Sequence, residues 1–122
     1  MCGICGFVGQ PYKTEDPVAL GRMNAAIQRR GPDDSGFYLN GVGAIKDPLQ
    51  ANLPDNALAV GLAMRRLAII DLEGGAQPMS DGRYWIVFNG EIYNFEEERQ
   101  ILQDLGYQFK TRCDTEVVLL AY

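Results

Sequence analysis

Not one histidine occurs among the 122 residues of this chain, and that absence excludes more chemistry than any other feature of the composition. A Ser-His-Asp triad, a Cys-His dyad and every imidazole-ligated zinc site go together. If the protein performs nucleophilic chemistry, its base is some other group. Basic residues are few, 11 Lys and Arg against 16 Asp and Glu, for a formal net charge of −5. No basic run is long enough to track a phosphate backbone, so no nucleic-acid partner is expected. No apolar stretch approaches the ~20 residues that span a bilayer, so no membrane partner is expected either. Phosphate loops of the G-x-G-x-x-G and Walker A kinds are missing. The first residues, Met1-Cys2-Gly3-Ile4-Cys5, lack the basic segment of a secretory signal. Three cysteines cannot all pair within one chain, which favours a reducing, cytoplasmic setting.

What is present reads as an ordinary soluble chain, 47% hydrophobic and 22% charged, of a size for one domain or a piece of one. Gly3 to Gly9 is a short, glycine-punctuated strand. Asp16-Pro17 opens a helix, with Asp16 as N-cap and Pro17 at the first helical position; Leu20, Met23 and Ile27 carry it at helical spacing to about Arg30. The cluster at 31–36 is a turn, and Phe37 to Asp47 forms a hairpin about Asn40-Gly41. A polar loop follows to Asn56. Ala57 to Leu72 carries β-like apolar segments broken at Arg65-Arg66. After a loop at 73–82, Tyr84 to Phe88 is a strand ending at Asn89-Gly90. Asn94 and Glu97 cap an amphipathic helix that Gly106 ends. Tyr107 to Arg112 is a further strand, and Asp114 opens a last helix. Many strands and three helical patterns imply an α+β or layered architecture rather than alternating βαβ units.

Cys2 is the first candidate for chemistry. Small residues after the initiator methionine permit its removal, which leaves Cys2 with a free α-amine. The reference pKa values of an α-amine and a thiol are close, about 8 and about 8.5, so one residue can supply both nucleophile and base without a histidine. On position alone, a small apolar residue at a chain start is the plainer reading. Cys2 and Cys5 also spell C-x-x-C, the redox spacing. Flanked by strand-like residues, however, two thiols three apart point to opposite faces, and zinc would want a fourth ligand besides Cys113.

Three more features carry weaker signals. Asn89-Gly90 at a strand end offers a side-chain amide and a backbone N–H as oxyanion donors, or merely a turn. Arg66 sits between apolar segments, where an arginine commonly grips a carboxylate; an edge-strand charge is the plainer alternative. Asp114 and Glu116 open the last helix, where Asp114 is most simply an N-cap.

Together, Met1-Cys2-Gly3-Ile4, Arg30-Gly31-Pro32-Asp33, 66–71 (RLAIID), 75–79 (GAQPM), 88–94 (FNGEIYN) and Asp114-Thr115-Glu116-Val117 resemble, in order and approximate spacing, glutamine-hydrolysing asparagine synthetases. The likeness is to their class II glutamine amidotransferase domain, and it covers essentially the whole chain. It implies an N-terminal-nucleophile α+β fold, an αββα sandwich of two antiparallel sheets between helical layers. It implies that the Cys2 thiol attacks the glutamine side-chain amide, forming a γ-glutamyl thioester that water hydrolyses. Carried over by motif, Asn89 and the Gly90 N–H hold the oxyanion, Arg66 grips the α-carboxylate, and Glu91 and Asp114 bind the α-ammonium. A zwitterion needs that distribution of charge in any case.

The chain departs from the family at Arg29, where histidine is common, and at Ala63-Met64, where Gly-His is common. The resemblance also implies that residues 1–122 are the N-terminal part of the glutaminase domain, since the last helix shows no stop signal before Tyr122. The remainder of that domain, and a synthetase domain acting in cis, are then expected elsewhere in a longer protein. No cofactor is expected in this chain, and ATP and Mg belong to the synthetase domain. An incomplete sheet with uncovered edges favours self-association as a homo-oligomer. A truncated or non-catalytic module with a glutamine-shaped pocket is the alternative function, and a C-x-x-C redox or metal-binding protein is a remoter one.

Overall fold

A computed structural model describes residues 2–68 and 74–122. Four strands form an antiparallel sheet in the order β1-β4-β2-β3, from β1 (Gly3–Gly9), β2 (Asp34–Leu39), β3 (Gly43–Ile45) and β4 (Ala59–Arg66). A second ribbon pairs β5 (Met79–Ser80) with β6 (Trp85–Ile86), also antiparallel. The helices are α1 (Asp16–Ala26), α2 (Phe95–Asp104) and α3 (Asp114–Ala121). The α+β class with antiparallel sheets is therefore the observed one. No helix among the described residues is long and apolar enough to cross a membrane.

Strand alternation gives the main sheet two different faces. Phe37 and Leu39 of β2 and Ala63 of β4 point to one side and form a buried cluster with Leu20 of α1. Cys5, Phe7 and Ile45 pack on the same cluster, so α1 covers this face. Gly36 and Tyr38 point the other way. The Tyr38 ring stacks on Trp85 of β6 at 4.8 Å between centroids, and the Gly36 backbone meets Gln77-Pro78 at the entry to β5. Helix α3 packs on β5 and β6, and α2 packs on α3. The layers thus run helix, sheet, ribbon, helices.

Two glycines, one in the turn before β2 and one within β2, fix seams of the fold by close backbone approach. A Cβ on Gly31 would stand 2.4 Å from the Arg65 carbonyl, and one on Gly36 would stand 2.0 Å from the Gln77 carbonyl. Neither seam admits any larger residue without backbone movement.

The structure departs from the sequence reading at several points, each with a physical cause. β4 runs unbroken through Arg65 and Arg66. Both arginines are in register with Ser35 and Asp34 of β2, and Arg65 pairs with Gly3 of β1 as well. The other half of that reading, a strand over 67–72, ends in residues 69–73, which lie outside the described residues, as does Met1. The turn at 31–36 gives way at Asp34 to β2, and the hairpin about Asn40-Gly41 is present with a shorter return strand.

Helix α1 ends at Ala26 and continues as a single 3-10 turn, Gln28–Arg30. Its N-cap is Glu15 rather than Asp16, whose carboxylate instead accepts the Lys13 N–H at 2.8 Å. Its buried stripe is Pro17, Leu20 and Asn24, while Met23 is exposed. In α2 the Asn94 side chain donates to Glu98 at 3.0 Å, so no Asn94–Glu97 capping box forms. Tyr107 to Arg112 is not a strand. The Glu116 carboxylate takes the Lys110 and Thr111 N–H groups at 2.8 and 2.7 Å, and the Arg99 guanidinium takes the Thr111 carbonyl. Backbone groups that a ladder would need are already occupied by side chains.

Candidate active site

The face of the sheet opposite α1 carries the residues with chemistry. Antiparallel pairing sets Gly3 beside Arg65, and one further step along both strands brings Cys2 level with Arg66. Arg30 Nε donates to the Cys2 carbonyl at 3.1 Å. The Leu67 N–H points at the Cys2 sulfur at 3.4 Å, and the thiol points back to the Leu67 carbonyl at 3.6 Å. Cys2 is therefore held by three contacts at two atoms, its carbonyl oxygen and its sulfur.

The Arg30-Gly31-Pro32-Asp33 turn supports the same corner. Asp33 donates its N–H to the Arg66 carbonyl at 3.0 Å, and its carboxylate accepts the Ala68 N–H at 2.8 Å. Beside Arg66 on β2, burial pushes the Asp34 carboxyl up, but the Lys46 ammonium, the Ser35 N–H and the Arg66 charge together hold it below the usual value. Lys46 Nζ lies 2.9 Å from Asp34 Oδ1.

Facing this corner are the segment after β6 and the first turn of α3. Ile92 donates its N–H to Asp114 Oδ2 at 3.1 Å, and the Cys113 thiol approaches Oδ1 at 3.6 Å. Asp114 is not the N-cap; Cys113 holds that position, and Asp114 is the first helical residue, 6% exposed. A negative side chain in the first turn suits the positive end of the helix.

A cavity of about 370 Å³ lies between the two walls, lined by Cys2, Arg66, Asn89, Gly90, Glu91 and Asp114. All six residues singled out in the sequence thus converge on one space. Leu67, Gln77, Tyr93, Cys113 and Thr115 line it too, none of them singled out for the amidotransferase chemistry from residue type. Gln77 and Thr115 lie inside the quoted motifs, but neither a neutral amide nor a hydroxyl announces itself without a partner in view.

The cavity holds a thiol, one guanidinium and two carboxylates in a space suited to a small molecule. Opposite charges on separate walls suit a zwitterionic ligand. The C-x-x-C pair is divided by the sheet: Cys2 lines the cavity, whereas Cys5 packs against the α1 cluster. Burial there pushes the Cys5 thiol up. Of the two departures from the family pattern, Arg29 is exposed and Met64 is fully buried at 1%.

Comparison with known proteins shows the family. The family model for a glutamine amidotransferase domain matches residues 1–122. The chain belongs to that family. It is 40% identical to asparagine synthetase [glutamine-hydrolyzing] 1 of Bacillus subtilis, over 98% of this chain and 17% of the relative. Asparagine synthetase [glutamine-hydrolyzing] 1 of Arabidopsis thaliana is 35% identical over 100% of this chain and 18% of its own length. A probable asparagine synthetase [glutamine-hydrolyzing] of Schizosaccharomyces pombe is 36% identical over 100% and 19%. The chain spans less than a fifth of the length of these relatives.

Proposed function

We propose that this amidotransferase domain hydrolyses glutamine to glutamate and ammonia with Cys2 as an N-terminal nucleophile. The observation that carries the reading is the convergence of Cys2, Arg66, Asn89, Gly90, Glu91 and Asp114 on one cavity. These residues come from four separate stretches of the chain. In the proposed reaction, removal of Met1 frees the Cys2 α-amine, which accepts the thiol proton as sulfur attacks the glutamine side-chain carbonyl. The Asn89 amide and the Gly90 N–H stabilise the oxyanion. Collapse to the thioester expels ammonia, which leaves with the proton held by the amine, and water then releases glutamate. Arg66 holds the α-carboxylate, while Glu91 and Asp114 hold the α-ammonium.

The relatives' names support a further step, in which ammonia passes to a synthetase domain of the same protein and converts aspartate to asparagine. ATP and Mg are the cofactors that such a domain uses, and a cytoplasmic location suits the free thiols. On this reading residues 1–122 are the N-terminal portion of the glutaminase domain. Intact-mass analysis after treatment with a glutamine-mimicking diazo-ketone tests the proposal. A single adduct on Cys2, suppressed by free glutamine, is expected together with ammonia release from glutamine. An unmodified Cys2 would overturn the reading, and an adduct without ammonia release would leave a glutamine-binding module.

A further inference from the structure

Gln77 has no charge and no nucleophilic atom, yet its side chain ties together the two elements of one wall of the cavity, the segment after β6 and the first turn of α3. It is 8% exposed. Its Oε1 accepts the Phe88 N–H at 2.6 Å, and its Nε2 donates to Thr115 Oγ1 at 3.0 Å. Phe88 immediately precedes Asn89-Gly90, and Thr115 immediately follows Asp114. The amide orientation is forced, because a backbone N–H demands the oxygen, which leaves the nitrogen for the hydroxyl. At its other end the Gln77 backbone is seated on β2, where the space at Gly36 is too small for even a Cβ.

We infer that Gln77 is a positioning residue that sets the separation and aim of the Asn89-Gly90 donors relative to Asp114. The inference rests on the glutaminase reading for what those groups do. The clamp itself rests only on the two hydrogen bonds and the seat on β2. Gln77 touches no reacting atom. Its effect passes through Phe88, so it bears on the oxyanion and not on the grip of Arg66 on the α-carboxylate.

Two measurements on the protein test this. Hydrogen exchange reads the clamp directly: in Gln77→Leu the Phe88 amide exchanges about tenfold faster or more, while amides of the β1–β4 ladder keep their protection. Gln77→Glu, whose carboxylate accepts from both Phe88 N–H and the Thr115 hydroxyl, restores Phe88 protection. Kinetics reads the consequence. Gln77→Leu lowers kcat for glutamine hydrolysis by about tenfold or more with little change in KM, and in an Asn89→Ala background the same change costs only about twofold.

Unchanged Phe88 exchange, or an equal kcat loss in both backgrounds, overturns the inference. A wild-type protein that neither releases ammonia nor is labelled on Cys2 instead overturns the glutaminase reading, and the exchange comparison still decides the clamp. If Gln77→Leu fails to fold, Thr115→Val frees the Nε2 end, and the slackened side chain should raise Phe88 exchange and lower kcat in the same direction by a smaller factor; no change in either overturns the inference.

Discussion

The Leu67 backbone holds the Cys2 sulfur from two directions, its N–H 3.4 Å from Sγ and its carbonyl oxygen 3.6 Å away. Leu67 directly follows Arg66, so the proposed nucleophile and the proposed carboxylate-binding cation are tied to one corner of the sheet. The Asp33 carboxylate, 2.8 Å from the Ala68 N–H, fixes that corner from below. The thiol is thus placed by backbone contacts, and with no histidine in the chain the proposed acceptor of its proton is the α-amine that removal of Met1 frees.

Retention of Met1 should therefore abolish the chemistry. A form that keeps Met1 carries an amide where the base should be, so a diazo-ketone glutamine analogue should leave Cys2 unmodified. Side-by-side intact-mass spectra of the processed and unprocessed forms check this. Equal labelling of both would remove the N-terminal-nucleophile assignment.

Asn89→Ala and Arg66→Ala should fail in different ways. Loss of one oxyanion donor lowers kcat by about 10²–10³. Loss of Arg66 mainly raises KM, because the α-carboxylate is held alike in ground and transition states. Steady-state ammonia release separates them. An unchanged kcat in Asn89→Ala would transfer the oxyanion role to other groups.

The six residues of the candidate site were legible because charge, thiol and amide each suggest a chemistry from side-chain type alone. Gln77, Cys113 and Thr115 were not, since their work consists of holding neighbours and shows only as distances. The fold divides the same way. β1 and the Asn40-Gly41 hairpin follow from local glycine and turn chemistry. The stretch 107–112 read as a strand because its residue types suit one, but Glu116 and Arg99 bind its backbone groups. In α1 an apolar stripe through Met23 was the natural expectation. The helix instead buries Asn24, whose carbonyl accepts Arg65 Nε at 3.3 Å. Tertiary partners decided both cases, and no local pattern announces them.

Cys113→Ala should weaken glutamine binding modestly. The Asp114 carboxylate has the Ile92 N–H on Oδ2 and the Cys113 thiol on Oδ1. Losing the weaker, thiol bond costs about 0.5 kcal/mol, or a two- to threefold rise in KM, with kcat unchanged. Cys113→Ser keeps a donor and should restore the KM. A fall in kcat instead would place Cys113 closer to the chemistry than Asp114's neighbour.

The Asp34–Lys46 pair predicts a pH dependence of stability with a defined sign. The folded Asp34 carboxyl titrates below its ordinary value of 3.8, so the folded state prefers the ionised form. Its contribution is complete above that ordinary value and is lost as pH falls through the lower folded one. Lys46 is 73% exposed, so the pair is worth about 1 kcal/mol or less. Denaturant unfolding across the acid range should show a shallower loss of stability in Asp34→Asn than in the wild type. Parallel curves would mean that the pair contributes nothing.

Gly31→Ala should cost both stability and glutamine affinity, for a reason of space rather than of backbone angle. Gly31 has φ −149° and ψ 88°, an extended conformation open to any residue. The added methyl, however, would stand 2.4 Å from the Arg65 carbonyl carbon and oxygen and 2.6 Å from the Arg66 carbonyl carbon. All three are backbone atoms of a strand paired on both sides, so no side chain can swing away to make room. Overpacking of this kind costs about 1–3 kcal/mol, and the strand end that yields is the one carrying Arg66 and contacting Cys2. KM should rise along with the drop in denaturation midpoint. Gly9→Ala is the matched control, since nothing lies within 4 Å of its added Cβ, and it should shift neither quantity beyond about 0.5 kcal/mol. If Gly31→Ala lowered the midpoint but left KM at the wild-type value, the Arg66 corner would be relaxing without moving the guanidinium, and the placement of the carboxylate grip at Arg66 would lose its support.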